Sequence, residues 1–227
     1  MTSLAAPRAL IFDMDGVLID SEPLHKEAKV EAFRQFGIVL SEAVYDSYKG
    51  RPDATIMEEI AAQHGHNPEQ ARELLQLKHR LFEAKEHEML PVPGAVDFLH
   101  WARPRFRLAL ATSATARNRA KILEILHIAD CFEAVVDSSR LQHPKPDPEV
   151  FQIAMHDLGV EPDVCWVIED SVNGTIAANA AGCTAVGITT TFSSAQLSAA
   201  GADLVIDSFA ELRERLEKVF QPLPPRS

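Results

Sequence analysis

No stretch of the 227 residues stays apolar for the roughly 18 positions that a bilayer span requires, so no membrane helix is expected. Met1–Phe12 is apolar, but Arg8 is its only early cation and Asp13 and Asp15 follow at once. A signal peptide is therefore not expected, and a cytoplasmic location is. Cysteine is scarce: Cys131, Cys165 and Cys183 are an odd number with no CxxC spacing. Buried thiols in a reducing compartment are expected, rather than a disulfide framework or a thiolate metal site. No HExxH occurs among the nine histidines, and His64/His66 and His79/His87 lack helical ligand spacing, so no zinc centre is expected. Positive charge is also short. The 22 Lys and Arg against 33 Asp and Glu leave a net charge of −11, which excludes general binding to nucleic acids or anionic membranes. The partner expected is a small molecule, and the chain itself a monomer or weak homodimer.

What is present is an ordinary 46% of hydrophobic residues, arranged as an alternation. Short apolar runs at Ala9–Phe12, Arg107–Ala111, Ala134–Val136, Val164–Ile168, Ala185–Ile188 and Leu204–Ile206 read as strands buried on both faces. Between them Thr115–Leu126, Pro148–Leu158 and Ser171–Ala181 read as helices, the last closed by Gly182 and the second opened by an Asp147 cap and Pro148. The alternation predicts an α/β fold with a doubly wound, parallel, Rossmann-like sheet. One segment breaks it. From about Glu22 to Met89 no strand is visible. Pro23–Phe36, Ala54–His64 and Pro68–Met89 read as helices, and the segment ends at the Pro-rich Leu90–Gly94. The expectation is a core domain of residues 1–20 and 90–227 with a small all-helical domain, residues 21–89, inserted after the first strand. Two connections would suit hinge motion. Gln221–Ser227 reads as a frayed tail.

Four strand ends carry reactive groups. Asp13 and Asp15 follow the first strand two residues apart, so they share a side, and Gly16 permits a sharp turn after them. Thr112-Ser113 ends the second strand with hydroxyl and backbone donors, although the pattern also fits a plain hydroxyl turn. Lys145 lies between Pro144 and Pro146, which stiffen the backbone that would aim its ammonium. Glu169 and Asp170 end the fourth strand and offer hard oxygen ligands for Mg²⁺, with Asp170 also placed to cap the next helix. Such a set suits phosphoryl transfer: a carboxylate nucleophile, a second carboxylate as acid and base, cationic and hydroxyl groups on the phosphoryl oxygens, and Mg²⁺ to offset the charge.

Asp13–His25 (DMDGVLIDSEPLH), Ala111–Ser113, Lys145–Pro148 and Ile168–Ser171 resemble, in order, the four motifs of the haloacid dehalogenase superfamily. The resemblance spans nearly the whole chain, and the helical insert is similar to that family's small type 1 cap, which closes over the site and excludes water. It implies Asp13 as nucleophile and metal ligand, and Asp15 as acid/base with its carbonyl on Mg²⁺. It further implies Thr112, Ser113 and Lys145 as phosphate-binding groups, and Glu169 and Asp170 as the metal anchor, directly or through water. The implied substrate is a small phosphorylated metabolite.

Within the family the chain most resembles the phosphatases and β-phosphoglucomutases. Asp15 argues against true dehalogenases, which lack the second aspartate. Lys26, Lys29, Lys49 and Lys78 fall in the cap, where phosphonatases use a Schiff-base lysine, but no apolar setting singles one out. Like the mutases the chain has His25 and Lys49-Gly50, but it has Asp53 where they carry a phosphate-binding arginine, leaving Arg51 as the nearest cation. An aspartate there would repel a second phosphate. The reading is a Mg²⁺-dependent phosphatase acting on a sugar or polyol phosphate, with His25, Lys49, Arg51 and Lys78 as candidate specificity contacts. A phosphosugar mutase is the alternative, and a non-catalytic binding module on the same fold the third.

Overall fold

The structure is a computed structural model, described here for residues 4–48, 51 and 53–219. In chain order its elements are β1 (Ala9–Phe12), β2 (Ile19–Asp20), α1 (Glu22–Gln35), α2 (Glu42–Ser47), α3 (Asp53–Gln63) and α4 (Pro68–Lys85). Then follow β3 (Leu90–Pro91), α5 (Ala95–Ala102), β4 (Arg107–Ala111), α6 (Ala116–Ile125), β5 (Ala134–Val136) and α7 (Glu149–Leu158). The chain continues with β6 (Cys165–Glu169), α8 (Val172–Ala180), β7 (Thr184–Ile188), α9 (Ser194–Ala199), β8 (Leu204–Ile206) and α10 (Phe209–Val219). The chain divides into two compact units, Met1–Asp20 with Leu90–Ser227, and Ser21–Met89.

The first unit is built on a parallel six-stranded sheet in the order β5-β4-β1-β6-β7-β8. Alternate residues of β1 feed opposite faces. Ala9 and Ile11 join a buried cluster with Phe151 and Met155 of α7 and Ala177 and Ala178 of α8. Phe12 meets Phe98 of α5 edge-on, and Phe98 in turn packs on Phe209 of α10. Helices cover both faces, which is why these strands are continuous apolar runs rather than alternating ones. Strand order reverses around β1: β4 and β5 lie to one side, while β6, β7 and β8 lie to the other. In such sheets the crevice at the carboxyl ends of the strands flanking that reversal is the natural ligand site.

The Pro-rich segment after the insert is not a bare linker. Leu90–Pro91 pairs antiparallel with Ile19–Asp20. Two-residue strands carry no readable period. The fourth long strand is shifted by one residue from its expected range, because Pro162–Val164 forms a 3₁₀ turn ahead of it. Ser171, not Asp170, caps α8: its hydroxyl accepts from the Gly174 amide at 3.0 Å. At α7 Pro148 occupies the cap position, while the Asp147 carboxylate accepts from the Glu149 amide. The three cysteines are buried and none is in a disulfide. No helix among the described residues is long and apolar enough to cross a membrane.

The second unit is helical, with a core of its own formed by Phe33 of α1, Ile56, Met57 and Ile60 of α3, and Leu74 of α4, together with Ile38. The Asn67–Gln70 capping box fixes the start of α4. The expected last helix ends earlier, at Lys85, followed by a 3₁₀ turn over Glu86–Glu88. The six-residue α2 is not among the expected helices, because at that length its apolar positions make no periodic stripe.

Candidate active site

The carboxyl ends of β1, β4 and β6 bring the predicted core residues together. Asp13 follows β1 directly and its amide donates to Ile168 of β6 at 3.0 Å. Thr112 follows β4, and its amide donates to Val136 at the end of β5. Glu169 is the last residue of β6. Lys145 reaches in from the loop before α7, and its ammonium donates to Asp13 Oδ1 at 2.5 Å and Glu169 Oε1 at 2.6 Å. Ala111 carbonyl accepts a third, longer bond at 3.4 Å. The Lys145–Pro146 peptide is cis.

Asp13, Glu169 and Asp170 are all buried, and each brings a carboxylate oxygen within 4.8 Å of those of the other two. Burial costs a carboxylate its charge. It lifts the Asp13 pKa to about 7, with Glu169 and Asp15 adding to the rise and Lys145 opposing it. Burial also pushes Asp170 well above the carboxylate range, helped by Glu169 and Asp13. For Lys145 burial disfavours the ammonium, but Asp13 and Glu169 outweigh it and the pKa rises, so this cation is permanent. Three converging carboxylates share one cation. Hard oxygens crowded in this way, with the Asp13 and Asp170 pKa values both pushed up for want of positive charge, fit a divalent ion such as Mg²⁺.

The Glu169 oxygens are already engaged. Oε1 accepts from Lys145, and Oε2 accepts from the Asp170 and Ser171 amides and the Ser171 hydroxyl at 3.1, 3.1 and 2.9 Å. Gly174 in α8 leaves the room this needs, because a Cβ there would lie 1.9 Å from the Glu169 carboxylate. Gly16 does the same for Asp170. It sits at φ +72°, and a Cβ would lie 1.9 Å from Asp170 Oδ2.

Thr112 is buried and its hydroxyl accepts from the Ala114 amide at 3.0 Å, so the hydroxyl turn exists and leaves the O–H proton as a donor. Ser113 beside it is exposed, and Asp15 is half-buried in a backbone bridge to Ile19. His143, Asp147 and Glu149 form a second group of close ligand atoms. Glu149 accepts there from the Gln142 and His143 amides, so the group shapes the loop that carries Lys145.

Two features were not legible in the motifs. Asp137, buried directly after β5, accepts from Arg119 of α6 at 2.9 Å and so ties that helix to the start of the Lys145 loop. Thr190 donates to the Gly16 carbonyl, and Thr191 Oγ1 lies next to the Asp170 carboxylate at the Gly16 turn. The run Thr189-Thr190-Thr191 directly after a strand was the available signal.

Within the helical unit, Lys78 is 2% exposed, which corrects the expectation that no cap lysine has an apolar setting. Burial lowers its pKa, while Asp53, 2.6 Å away, works to keep it charged. Lys78 also bonds His25 Nδ1 at 2.9 Å, and His25 stacks on Phe82 with ring centroids 4.1 Å apart. An ammonium has no acceptor, so Nδ1 accepts and the His25 proton sits on Nε2. Burial, and then Lys78, lower the His25 pKa to about 3. Asp53 lies between Lys78 and Lys29, which outweigh its burial and hold its pKa near 2. Two ammonium groups therefore offset its charge locally, which weakens the repulsion of a second phosphate expected of an aspartate there. Arg51 pairs with Glu59 at 2.5 Å and stacks on Tyr48. Lys49 lies outside the described residues.

Residues 7–182 match the haloacid dehalogenase-like hydrolase family. Hexitol phosphatase B of Escherichia coli K12 is 31% identical over 184 residues, covering 78% of this chain and 83% of that protein. The β-phosphoglucomutase of Bacillus subtilis is 32% identical over 213 residues, covering 90% of this chain and 91% of that one. A haloacid dehalogenase family hydrolase from Deinococcus radiodurans, crystallised with bound phosphate and sodium, superposes with a TM-score of 0.81 at 27% identity, covering 95% of this chain and 97% of that one. By its fold, its four strand-end loops and this match over most of its length, the chain belongs to the haloacid dehalogenase-like hydrolases.

Proposed function

We propose that the chain is a Mg²⁺-dependent phosphatase that hydrolyses a sugar or polyol phosphate through an aspartyl-phosphate on Asp13. The observation that carries this is the buried cluster in which one lysine bridges Asp13 and Glu169 beside Asp170. Kinship with a hexitol phosphatase supports the substrate class.

Asp13 has one oxygen held by Lys145, which fixes the carboxylate plane and directs the other oxygen as nucleophile. That oxygen forms a bond to phosphorus as the ester P–O bond breaks. Asp15 gives its proton to the leaving alkoxide, then takes one from the incoming water. The water attacks phosphorus, and the Asp13–phosphorus bond breaks to release phosphate. Lys145 and the Thr112 hydroxyl donate to phosphoryl oxygens. Asp13, the Asp15 carbonyl and Asp170 would hold Mg²⁺, whose positive charge would let carboxylate and phosphate approach and favour the ionised form of Asp13. Glu169 acts through Lys145 and the Ser171 turn, because both its oxygens are occupied. His25 and Lys78 are the foremost candidates for recognising the rest of the substrate.

The test is phosphate release from a panel of sugar and polyol monophosphates with Mg²⁺ and with EDTA. Release that EDTA stops is expected; no Mg²⁺-dependent hydrolysis of any member would defeat the reading. The second reading, a phosphosugar mutase, is favoured by the β-phosphoglucomutase relative. It requires conversion of β-glucose 1-phosphate to glucose 6-phosphate with a bisphosphate primer, and free phosphate as the sole product excludes it.

A further inference from the structure

The loop after β7 carries three consecutive threonines, and each hydroxyl reaches a different strand end. Thr189 donates to Asp207 after β8 at 2.7 Å, Thr190 donates to the Gly16 carbonyl after β1, and Thr191 Oγ1 stands beside the Asp170 carboxylate after β6. The last two converge. The point where a Gly16 Cβ would stand is 1.9 Å from Asp170 Oδ2 and 2.9 Å from Thr191 Oγ1. Asp170 thus sits in a notch whose floor is Gly16 and whose side is Thr191, and Thr190 pins the carbonyl of that floor.

We propose that Thr191 is a positioning residue for the metal-binding carboxylate: its hydroxyl fixes the rotamer of Asp170 and so sets the affinity of the site for a divalent cation. The proposal rests on the reading of Asp13 and Asp170 as the metal anchor. A buried aspartate has two side-chain torsions to settle. The Gly16 notch admits one carboxylate oxygen, and a donor beside that oxygen removes the alternative in which the carboxylate turns to serve another partner. Outer groups that orient a metal ligand commonly contribute about 10- to 100-fold in metal affinity. No motif assigns the β7 loop a part in the chemistry, and its register in the sheet brings it there: β7 is the neighbour of β6, so its end lies beside Asp170.

The experiment uses the full chain without substrate, with Mn²⁺ as probe and free Mn²⁺ counted by electron paramagnetic resonance. Thr191→Val keeps the shape and removes the donor; Thr191→Ser keeps the donor. Thr191→Val is expected to weaken Mn²⁺ binding by about tenfold or more, with its melting temperature in EDTA unchanged, and Thr191→Ser to bind close to wild type. Should Thr191→Val not fold, Thr191→Ala takes its place. The half-saturating Mg²⁺ concentration for phosphate release should rise in the same order, with kcat at saturating Mg²⁺ recovering. Wild-type affinity in Thr191→Val, or equal loss in Val and Ser variants, would overturn the proposal while leaving the metal site intact. If wild-type protein and Asp170→Asn bind Mn²⁺ equally poorly, the metal anchor itself is wrong and the proposal falls with it.

Discussion

Lys145, nearly buried, lies 2.5 Å from buried Asp13 and 2.6 Å from buried Glu169, so its removal leaves two carboxylates facing each other without a cation. Lys145→Met should abolish turnover and, in EDTA, lower unfolding free energy by about 3 kcal/mol, the scale for breaking a buried ion pair from one side. Urea denaturation with and without Mg²⁺ checks this; an unchanged midpoint in EDTA would contradict the pairing. His25 gives a second prediction. Its pKa of about 3 lies below the unfolded value near 6.5. The unfolded chain therefore takes up a proton first as pH falls. The His25 contribution to stability is complete above about pH 6.5 and is lost progressively toward pH 3, at no more than about 1.4 kcal/mol per pH unit. Nitrogen chemical shifts should show a neutral ring with the proton on Nε2 at pH 5, and His25→Gln should flatten the slope. A charged His25 ring at pH 5 would refute it. The lysine between prolines and the paired aspartates could be read from sequence because their chemistry is local. Lys78 could not, because its burial comes from α1 and α4 packing across more than fifty residues of chain.

Two glycines decide how the elements carry the site. Gly174 lies in the first turns of α8, where glycine to alanine ordinarily stabilises a helix by about 1 kcal/mol. Here the added methyl would stand 1.9 Å from the Glu169 carboxylate. Gly174→Ala should therefore lose both stability and activity, read by thermal melting and phosphate release. A more stable, fully active variant would show that Glu169 is not held as described. The long elements were legible because each β-run is apolar on both faces and several of the helices, α4, α6 and α8 among them, open on a capping side chain. Those that were missed, α2 and the β2–β3 pair, are six and two residues long and depend on tertiary contacts for their existence. Sequence alone leaves the cap of α8 open, because Asp170 and Ser171 are both good capping residues; in the structure Ser171 takes the role.

At the scale of the molecule, a chain of net charge −11 binds an anion by concentrating its few useful cations. Asp13 and Asp170 lie far apart in sequence and meet because β6 flanks β1, and Lys145 reaches them from the loop between β5 and α7. That convergence was expected from strand-end logic and from the family resemblance; the threonine loop after β7 was not, because adjacency of β6 and β7 is a property of the sheet. A ligand that binds only the folded state stabilises it by mass action, by about 2.7 kcal/mol at a hundred times its dissociation constant. Mg²⁺ should accordingly raise the melting temperature of the wild type and leave Asp170→Asn unmoved. An equal rise in both would place the ion elsewhere.

The central claim is that Asp13 is the nucleophile. Acid-quenching the enzyme during turnover of a sugar phosphate and reducing with borohydride converts an aspartyl-phosphate to homoserine, which peptide mass spectrometry locates. Homoserine at position 13 in the wild type, absent from an inactive Asp13→Asn, is the predicted result. Turnover that survives Asp13→Asn, or homoserine at any other aspartate, would contradict the account.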